Sequence, residues 1–198
     1  MVNGSHILLL GGVRSGKSSA AEKAASRYGR HILYVATAEA KDAEMASRIE
    51  THRAGRPTTW KTLEAPCDVS PAVLNALENG TTDAVILDCV TMLVSNVLLR
   101  DASEESLDRV DEAAAQSRVD EELDGLLDAV RRSGIPWILV SNEVGSGVVP
   151  PSALGRIYRD LLGRANQRLA ASASAVYLMV AGCLVNLSAL GTTDLFER

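Results

Sequence analysis

Hydrophobic residues in this chain cluster in short, uninterrupted runs, separated by longer stretches in which apolar positions recur with helical spacing. Uniformly apolar runs of strand length are typical of parallel strands that are covered on both faces, because neither face meets water. Five runs of this kind predict five strands, at residues 7–10, 32–36, 84–87, 137–140 and 176–180.

The stretches between these runs carry residues that commonly end helices. Gly29 follows the first stretch, Gly55 follows the second, and Gly134 follows a third. We therefore predict helices at residues 17–28, 40–53, 121–132 and 152–171. Strands that alternate with helices predict an α/β fold, in which a mostly parallel open sheet is flanked by helices and joined by right-handed crossovers. No internal repeat or low-complexity linker divides residues 1–198, so we expect a single domain.

The chain carries a formal net charge of −5, but the charge is distributed unevenly. Residues 101–128 contain eleven acidic residues and two arginines, so this stretch carries −9 and the rest of the chain carries +4. The total excludes a generally basic nucleic-acid-binding protein. Leu107, Val110 and Leu123 form a modest apolar stripe through the acidic stretch, which favours a helix with a solvated, charged face.

Cysteine usage and the length of the apolar runs restrict the class of protein further. The three cysteines, Cys67, Cys89 and Cys183, are odd in number and lack C-x-x-C spacing, which indicates neither a disulfide framework nor a zinc site. The apolar runs are too short or too interrupted to span a bilayer, and no signal peptide opens the sequence. We therefore expect a cytoplasmic protein without a membrane span.

A phosphate-binding loop follows the first predicted strand directly. It matches the pattern G-x-x-x-x-G-K-[ST] with Gly11, Gly12, Val13, Arg14, Ser15, Gly16, Lys17 and Ser18. Glycines allow backbone conformations in which successive amide groups point at an anion, and the start of the next helix adds a positive dipole. Lys17 is expected to bridge the β- and γ-phosphates of a nucleoside triphosphate, and the Ser18 hydroxyl is expected to ligate Mg²⁺.

An acidic residue is the usual partner of such a loop, at the end of a neighbouring strand. Asp88 directly follows the apolar run 84–87, at the strand end where open α/β sheets bind their ligands. This position favours a Mg²⁺ ligand over a simple turn cap. Asp83 begins the same run and therefore lies at the wrong end.

Basic residues surround a histidine in the predicted helix 40–53. Arg48 and His52 lie one helical turn apart, and Arg53 and Arg56 follow. Like charges lower the pKa of a histidine and favour the neutral imidazole, the form that a nucleophile requires. Met45 shares the same side of the helix, so packing of His52 at the edge of the core remains an open interpretation of these residue types.

Several longer motifs occur in a fixed order along the chain: GGxRSGKS, then YVATA with a downstream EM-x-x-RI-x-x-HR-x-x-RP-x-x-W, then LDCVT, VSNEVGxGVVP and NQxLA. Together they resemble the bifunctional adenosylcobinamide kinase/adenosylcobinamide-phosphate guanylyltransferase family of cobalamin biosynthesis. The resemblance extends from about residue 7 to residue 186. It implies a RecA-like P-loop nucleotide-binding fold and a homotrimer.

The resemblance also implies two transferase activities in one chain. ATP or GTP, with Mg²⁺, phosphorylates the terminal hydroxyl of the aminopropanol arm of adenosylcobinamide. GTP then transfers GMP to an enzyme histidine and releases pyrophosphate, and the GMP passes to adenosylcobinamide phosphate to give adenosylcobinamide-GDP. The family's histidine motif falls on His52 here, and Lys17 is the second implied catalytic residue.

Further nucleotide contacts are implied at other positions that match the family. They fall on Ala36, Thr37, Ala38, Arg53, Ala54, Gly55, Arg56, Glu64 and Asp88. The residue types leave open which of Glu64, Asp88 and Glu143 assists attack by the substrate hydroxyl.

Two simpler functions would also account for the phosphate-binding loop. One is a single-activity P-loop kinase that acts on another small hydroxylated metabolite. The other is a nucleotide-binding regulatory module, although the chain lacks the guanine-reading motif N-K-x-D.

Overall fold

The computed structural model describes residues 4–39, 55–100 and 110–190. Seven strands lie within these residues: β1 (His6–Gly11), β2 (Ile32–Ala36), β3 (Lys61–Glu64), β4 (Ala84–Asp88), β5 (Trp137–Val140), β6 (Ala175–Val180) and β7 (Cys183–Asn186). The same residues form five α-helices and a final 3₁₀ turn: α1 (Lys17–Ala25), α2 (Val69–Glu78), α3 (Val90–Leu99), α4 (Glu112–Ser133), α5 (Ala153–Ser172) and Ser188–Leu190.

The seven strands form one sheet in the order β3-β2-β4-β5-β1-β6-β7. Every neighbouring pair is parallel except β6 and β7, which form an antiparallel hairpin at one edge. The prediction of a mostly parallel open α/β sheet flanked by helices is therefore confirmed. All five predicted strands are present, and each predicted boundary lies within one residue of the observed one.

The helix predictions are less accurate at their ends. The first helix ends at Ala25 rather than at residue 28, because Arg27 and Tyr28 donate to carbonyls three residues back in a tighter turn. The third begins at Glu112 rather than at residue 121, since the Asp111 carboxylate accepts from two amides of the first turn and caps the helix there. The helix predicted at residues 40–53 lies outside the described residues.

Side chains of the central strands divide the core into two layers. Leu33, Val85 and Leu139 point to one face, which α2, α3, α4 and α5 cover. Ile32, Ile86 and Ile138 point to the other face, where Ala21 and Ala25 of α1 pack. Because α1 meets the sheet through alanines, it lies close to the strands. Among the described residues, α1, the helix that follows the phosphate-binding loop, is thus the only helix that packs on this face of the sheet.

The described part of the acidic stretch forms most of α4. Its apolar residues Val119, Leu123 and Leu126 are buried against the core. Several of its acidic residues have specific partners: Asp120 and Asp124 both pair with Arg168 of α5. Residues 101–109 of the stretch lie outside the described residues.

No helix within the described ranges is long and apolar enough to cross a membrane.

A buried histidine joins β1 to α5. His6 is almost fully buried, and its Nε2 lies 2.9 Å from the Leu169 carbonyl oxygen. Burial lowers the pKa of His6, and the hydrogen bond to Leu169 opposes this shift only in part. His31, by contrast, is 54% exposed and lies 3.4 Å from Asp83.

The substitution His6→Gln is expected to flatten the pH dependence of the free energy of unfolding. Burial lowers the pKa of His6 in the folded chain, whereas the unfolded chain takes up a proton below about pH 6.5. The native protein therefore loses up to about 1.4 kcal/mol per pH unit as the pH falls from 6.5 towards the lowered pKa of His6. Denaturant unfolding between pH 8 and pH 5 measures this loss. Asn75→Gln, an exposed substitution that removes no titratable group, serves as the control and should retain the native slope. Parallel curves for His6→Gln and the native protein would contradict the assignment.

Candidate functional site

Several of the predicted site residues meet at the carboxyl edge of the parallel sheet. Ala36 at the end of β2 is in register with Glu64 of β3 on one side and with Asp88 of β4 on the other. Gly11 ends β1, two strands away from β4. Because all these strands run in the same direction, their last residues share one edge, which is where open α/β sheets bind ligands.

The phosphate-binding loop adopts a conformation that depends on its glycines. Gly11 has φ 152°, and a Cβ atom there would lie 2.3 Å from the Met179 carbonyl oxygen of β6. Gly16 is the residue before α1 and has φ 101° in the left-handed region, without any side chain that caps the helix. The first amides of α1 therefore remain available to an external acceptor such as a phosphate oxygen. Gly12, Val13 and Arg14 are exposed along the loop.

The Lys17 ammonium group lies inside this loop. Its side chain is only 8% exposed, and Nζ donates to the Gly12 carbonyl oxygen at 2.6 Å and to the Ser15 hydroxyl at 3.4 Å. Burial lowers the pKa of Lys17, whereas the acidic groups of Cys89 and Asp88 act to raise it. The lysine thus lies near the end of β4, with its donors engaged by Gly12 and Ser15 of the loop.

Asp88 is held by a tyrosine from the adjacent strand. The hydroxyl of Tyr34 donates to Oδ2 of Asp88 at 2.5 Å. Tyr34 is 2% exposed. Burial and the neighbouring Asp88 charge raise the pKa of the tyrosine far above its ordinary value, so the hydroxyl keeps its proton.

Arg56, a predicted nucleotide contact, lies against the same tyrosine. Its guanidinium carbon is 3.3 Å from the centre of the Tyr34 ring, a cation–π contact. Nη1 donates to the Thr62 hydroxyl at 3.3 Å, and Nε lies 3.9 Å from the Glu22 carboxylate of α1. Gly55 precedes it and is exposed. The other predicted residues of this segment, His52, Arg53 and Ala54, lie outside the described residues.

Thr37 is fully buried and braces the turn after β4. Its hydroxyl donates to the Cys89 carbonyl oxygen at 2.7 Å and accepts from the Cys89 amide at 2.8 Å. Its own carbonyl oxygen accepts from the Asn96 side chain at 2.8 Å. The side chain of this predicted nucleotide contact is thus engaged within the protein. Ala38, the next predicted contact, is partly exposed at the same strand end.

Asn166 is a site-supporting residue that the motif analysis left without a role. It lies within α5 and accepts from the buried Ser141 hydroxyl at 2.6 Å. Its amide group donates to the Asn142 carbonyl oxygen at 3.0 Å. Glu143 then donates its backbone amide to Gly11, so this network holds the segment after β5 against the phosphate-binding loop. A polar residue among the apolar positions of a packed helix was the signal that could have revealed it.

The donor atoms at this edge fit a nucleotide-bound magnesium ion. Mg²⁺ prefers oxygen ligands, and proteins commonly hold it through one or two carboxylates together with the phosphates of the substrate. Ser18, the residue after Lys17 in α1, supplies a hydroxyl, and Asp88, whose charge interacts with that of Lys17, supplies a carboxylate. Within the described ranges, no cluster of three or more His, Cys, Asp or Glu side chains could hold a metal ion without such phosphates.

Comparison with known proteins decides the family. A family model described as cobinamide kinase / cobinamide phosphate guanyltransferase, CobU, matches residues 7–187. The chain belongs to this family. The match includes the phosphate-binding loop, the His52 segment and the Asp88 strand, so all predicted site residues fall inside it.

Curated relatives agree with this membership. The chain is 41% identical to the bifunctional adenosylcobalamin biosynthesis protein CobU of Salmonella typhimurium over 181 residues, which are 91% of this chain and 98% of the relative. It is 40% identical to CobU of Escherichia coli over the same shares of the two chains. It is 39% identical to the bifunctional protein CobP of Pseudomonas aeruginosa, over 88% of this chain and 92% of the relative.

Among solved structures, the RadB recombinase matches with a TM-score of 0.47 at 17% identity, over 89% of this chain and 74% of the recombinase.

Lys17→Met is expected to lower nucleotide affinity by at least about 100-fold, because it removes charge-assisted hydrogen bonds to phosphate. The midpoint of thermal unfolding should change by only a few degrees, since a desolvated ammonium group contributes little net stability. Titration with a fluorescent GTP analogue measures the affinity. Lys23→Met, an exposed substitution on the same helix, is the control. Equal affinities of the two variants would contradict this role of Lys17.

Thr37→Val is expected to lower the free energy of unfolding by about 1–3 kcal/mol, because the amide and carbonyl groups of Cys89 lose their shared partner. Chemical denaturation measures the difference. Thr37→Ser keeps the hydroxyl and should recover most of the loss. If the serine variant is as unstable as the valine variant, the hydroxyl is not the stabilising group.

Proposed function

We propose that this chain is a bifunctional transferase of cobalamin biosynthesis, acting as a single domain on a corrinoid substrate and nucleoside triphosphates. It phosphorylates adenosylcobinamide and then converts the phosphate into adenosylcobinamide-GDP. The observation that carries the proposal is a phosphate-binding loop that encloses Lys17 beside Asp88, within a chain that matches the cobinamide kinase / cobinamide phosphate guanyltransferase family over residues 7–187.

The phosphate-binding loop carries the first reaction. Backbone amides at Gly16 and the start of α1 bind the phosphates of ATP or GTP, and Lys17 turns its donors from Gly12 and Ser15 to the β- and γ-phosphates. Ser18 and Asp88 would hold Mg²⁺, which would neutralise part of the phosphate charge. The substrate hydroxyl oxygen attacks the γ-phosphorus while the bond to the β,γ-bridging oxygen breaks. The proton of the substrate hydroxyl passes to a carboxylate at this edge of the sheet. Glu64, Asp88 and Glu143 are the candidates for this carboxylate.

His52 carries the second reaction. Its neutral imidazole attacks the α-phosphorus of GTP, the bond to pyrophosphate breaks, and a histidine–GMP adduct forms. An oxygen of adenosylcobinamide phosphate then attacks the same phosphorus and releases His52. This division avoids direct attack of a phosphate dianion on GTP, and cationic groups of Lys17, Arg53 and Arg56 stabilise the developing charge.

The remaining nucleotide contacts are proposed at the strand ends and in the His52 segment. They are Gly11, Gly12, Val13, Arg14, Ser15, Ala36, Thr37, Ala38, Ala54, Gly55 and Glu64. The register of Ala36 with Glu64 and Asp88 supports a common location for Ala36 and Glu64 beside Asp88.

The same proposal includes a homotrimer in the cytoplasm. Val180, Leu184 and Leu190 near the β6–β7 edge are exposed apolar side chains, of the kind that an interface between copies covers. Cys67, Cys89 and Cys183 are all free thiols, which supports a reducing compartment.

Incubation with GTP labelled at the α-phosphate tests the second reaction. The native protein is expected to acquire an acid-labile label. His52→Ala should abolish the label completely, because no other side chain replaces the nucleophile, while phosphorylation of cobinamide continues. Gel autoradiography and a cobinamide phosphorylation assay provide the two measurements.

The exposed His31 offers a matched control for this experiment. His31→Ala should be labelled like the native protein. An unlabelled native protein that still phosphorylates cobinamide would instead indicate a single-activity kinase. Nucleotide binding without any phosphotransfer would indicate a regulatory module.

A further inference from the structure

The hydroxyl of the buried Tyr34 donates its hydrogen bond to a carboxylate on the neighbouring strand. Tyr34 is opposite Ile86 in the pairing of β2 with β4, so Asp88 lies two residues further along on the same face of the sheet. This diagonal position is within reach of an aromatic side chain. The hydroxyl uses that reach to donate to Oδ2 of Asp88, the last residue of the strand.

The tyrosine ring is covered by a buried arginine, which two further elements, β3 and α1, contact in turn. Arg56 lies over the ring at 3.3 Å and reaches Thr62 of β3 through Nη1. The Glu22 carboxylate of α1 lies 3.9 Å from Nε of the same arginine. Both Tyr34 and Arg56 are more than nine-tenths buried. The ring therefore cannot rotate away from Asp88 without displacing the buried arginine.

This arrangement restrains a carboxylate that would otherwise rotate freely at a strand end. A carboxylate has two oxygens, each able to accept hydrogen bonds or to ligate a cation. Because Tyr34 engages Oδ2, Oδ1 is the oxygen left to face a ligand. Lys17 is close enough for its charge to interact with that of Asp88, so the restrained carboxylate lies beside the phosphate-binding loop.

We propose that Tyr34 is a positioning residue, whose hydroxyl orients the Asp88 carboxylate towards the metal ion of the bound nucleotide. The inference rests on the proposed function, because it assumes that Asp88 ligates Mg²⁺. Arg56 and Glu22 serve this role indirectly by clamping the ring. The site thereby has its metal ligand oriented before the nucleotide arrives, which lowers the cost of ordering it on binding.

The variant Tyr34→Phe separates this role from simple packing. Phenylalanine keeps the ring, and with it the contact of Arg56, but removes the hydroxyl. The probe is Mn²⁺, titrated onto protein in excess over a non-hydrolysable GTP analogue, with free Mn²⁺ measured by electron paramagnetic resonance. Loss of one hydrogen bond to a charged group is expected to weaken Mn²⁺ binding by about 10-fold. Affinity for the analogue in the presence of a chelator should not change.

Tyr158→Phe is the matched control, because it removes a partly buried hydroxyl that donates to the Thr91 carbonyl oxygen at 3.3 Å. This variant should bind Mn²⁺ like the native protein. The kinase assay provides an independent measurement: Tyr34→Phe should need about 10-fold more Mg²⁺ for half-maximal rate, and saturating Mg²⁺ should restore most of the rate.

Asp88→Asn distinguishes failure of this inference from failure of the proposed function. If Asp88→Asn binds Mn²⁺ like the native protein, Asp88 is not a metal ligand, and the metal role and the positioning role are both wrong. If Asp88→Asn weakens binding but Tyr34→Phe leaves it unchanged or tighter, only the positioning role is wrong. In the double variant, Tyr34→Phe should add no further loss to that of Asp88→Asn.

Discussion

Parallel pairing of β1, β2, β4 and β5 is the constraint on which the site depends. It brings the carboxyl ends of these strands to one edge, so that Gly11, Ala36 and Asp88 lie close together although they are far apart in sequence. The register matters as much as the direction. Side chains alternate between the faces, so a slip of β4 by one residue would turn Asp88 to the opposite face, away from α1 and Lys17.

Several polar groups buried at this edge bond one another, which gives the site its shape before any ligand binds. Thr37 bonds both backbone groups of Cys89, and Ser141 bonds Asn166. The Thr37 bonds join the segments that follow β2 and β4, and the Ser141 bond joins the segment after β5 to α5. Leaving one buried partner unpaired costs about 1–3 kcal/mol, so such networks restrict the turns to one arrangement and hold the phosphate-binding loop in place.

The degree to which each element is buried explains whether the sequence could predict it. The central strands have apolar residues on both faces, and their uniform runs identified them. The hydrophobic pattern did not predict α3. Its residues are buried around most of the helix circumference, so it lacks the polar face that would show helical periodicity. The pattern also failed for β3, in whose sequence KTLE three of four residues are polar and none is fully buried. The helix α4 begins nine residues before its predicted start, because Asp111 caps it there. Such a cap depends on local geometry and not on the apolar stripe from which the helix was predicted.

The sequence by itself determined the phosphate-binding loop, the position of Asp88 at a strand end and the family motifs, because these depend on contiguous residues whose spacing carries the chemistry. Only the tertiary structure decided that Tyr34 holds Asp88, that Arg56 lies on that tyrosine, and that Asn166 secures the segment after β5. These contacts join residues 22 to 54 positions apart. They form only when strand order and register bring the side chains onto one face, and no local pattern specifies those long-range pairings.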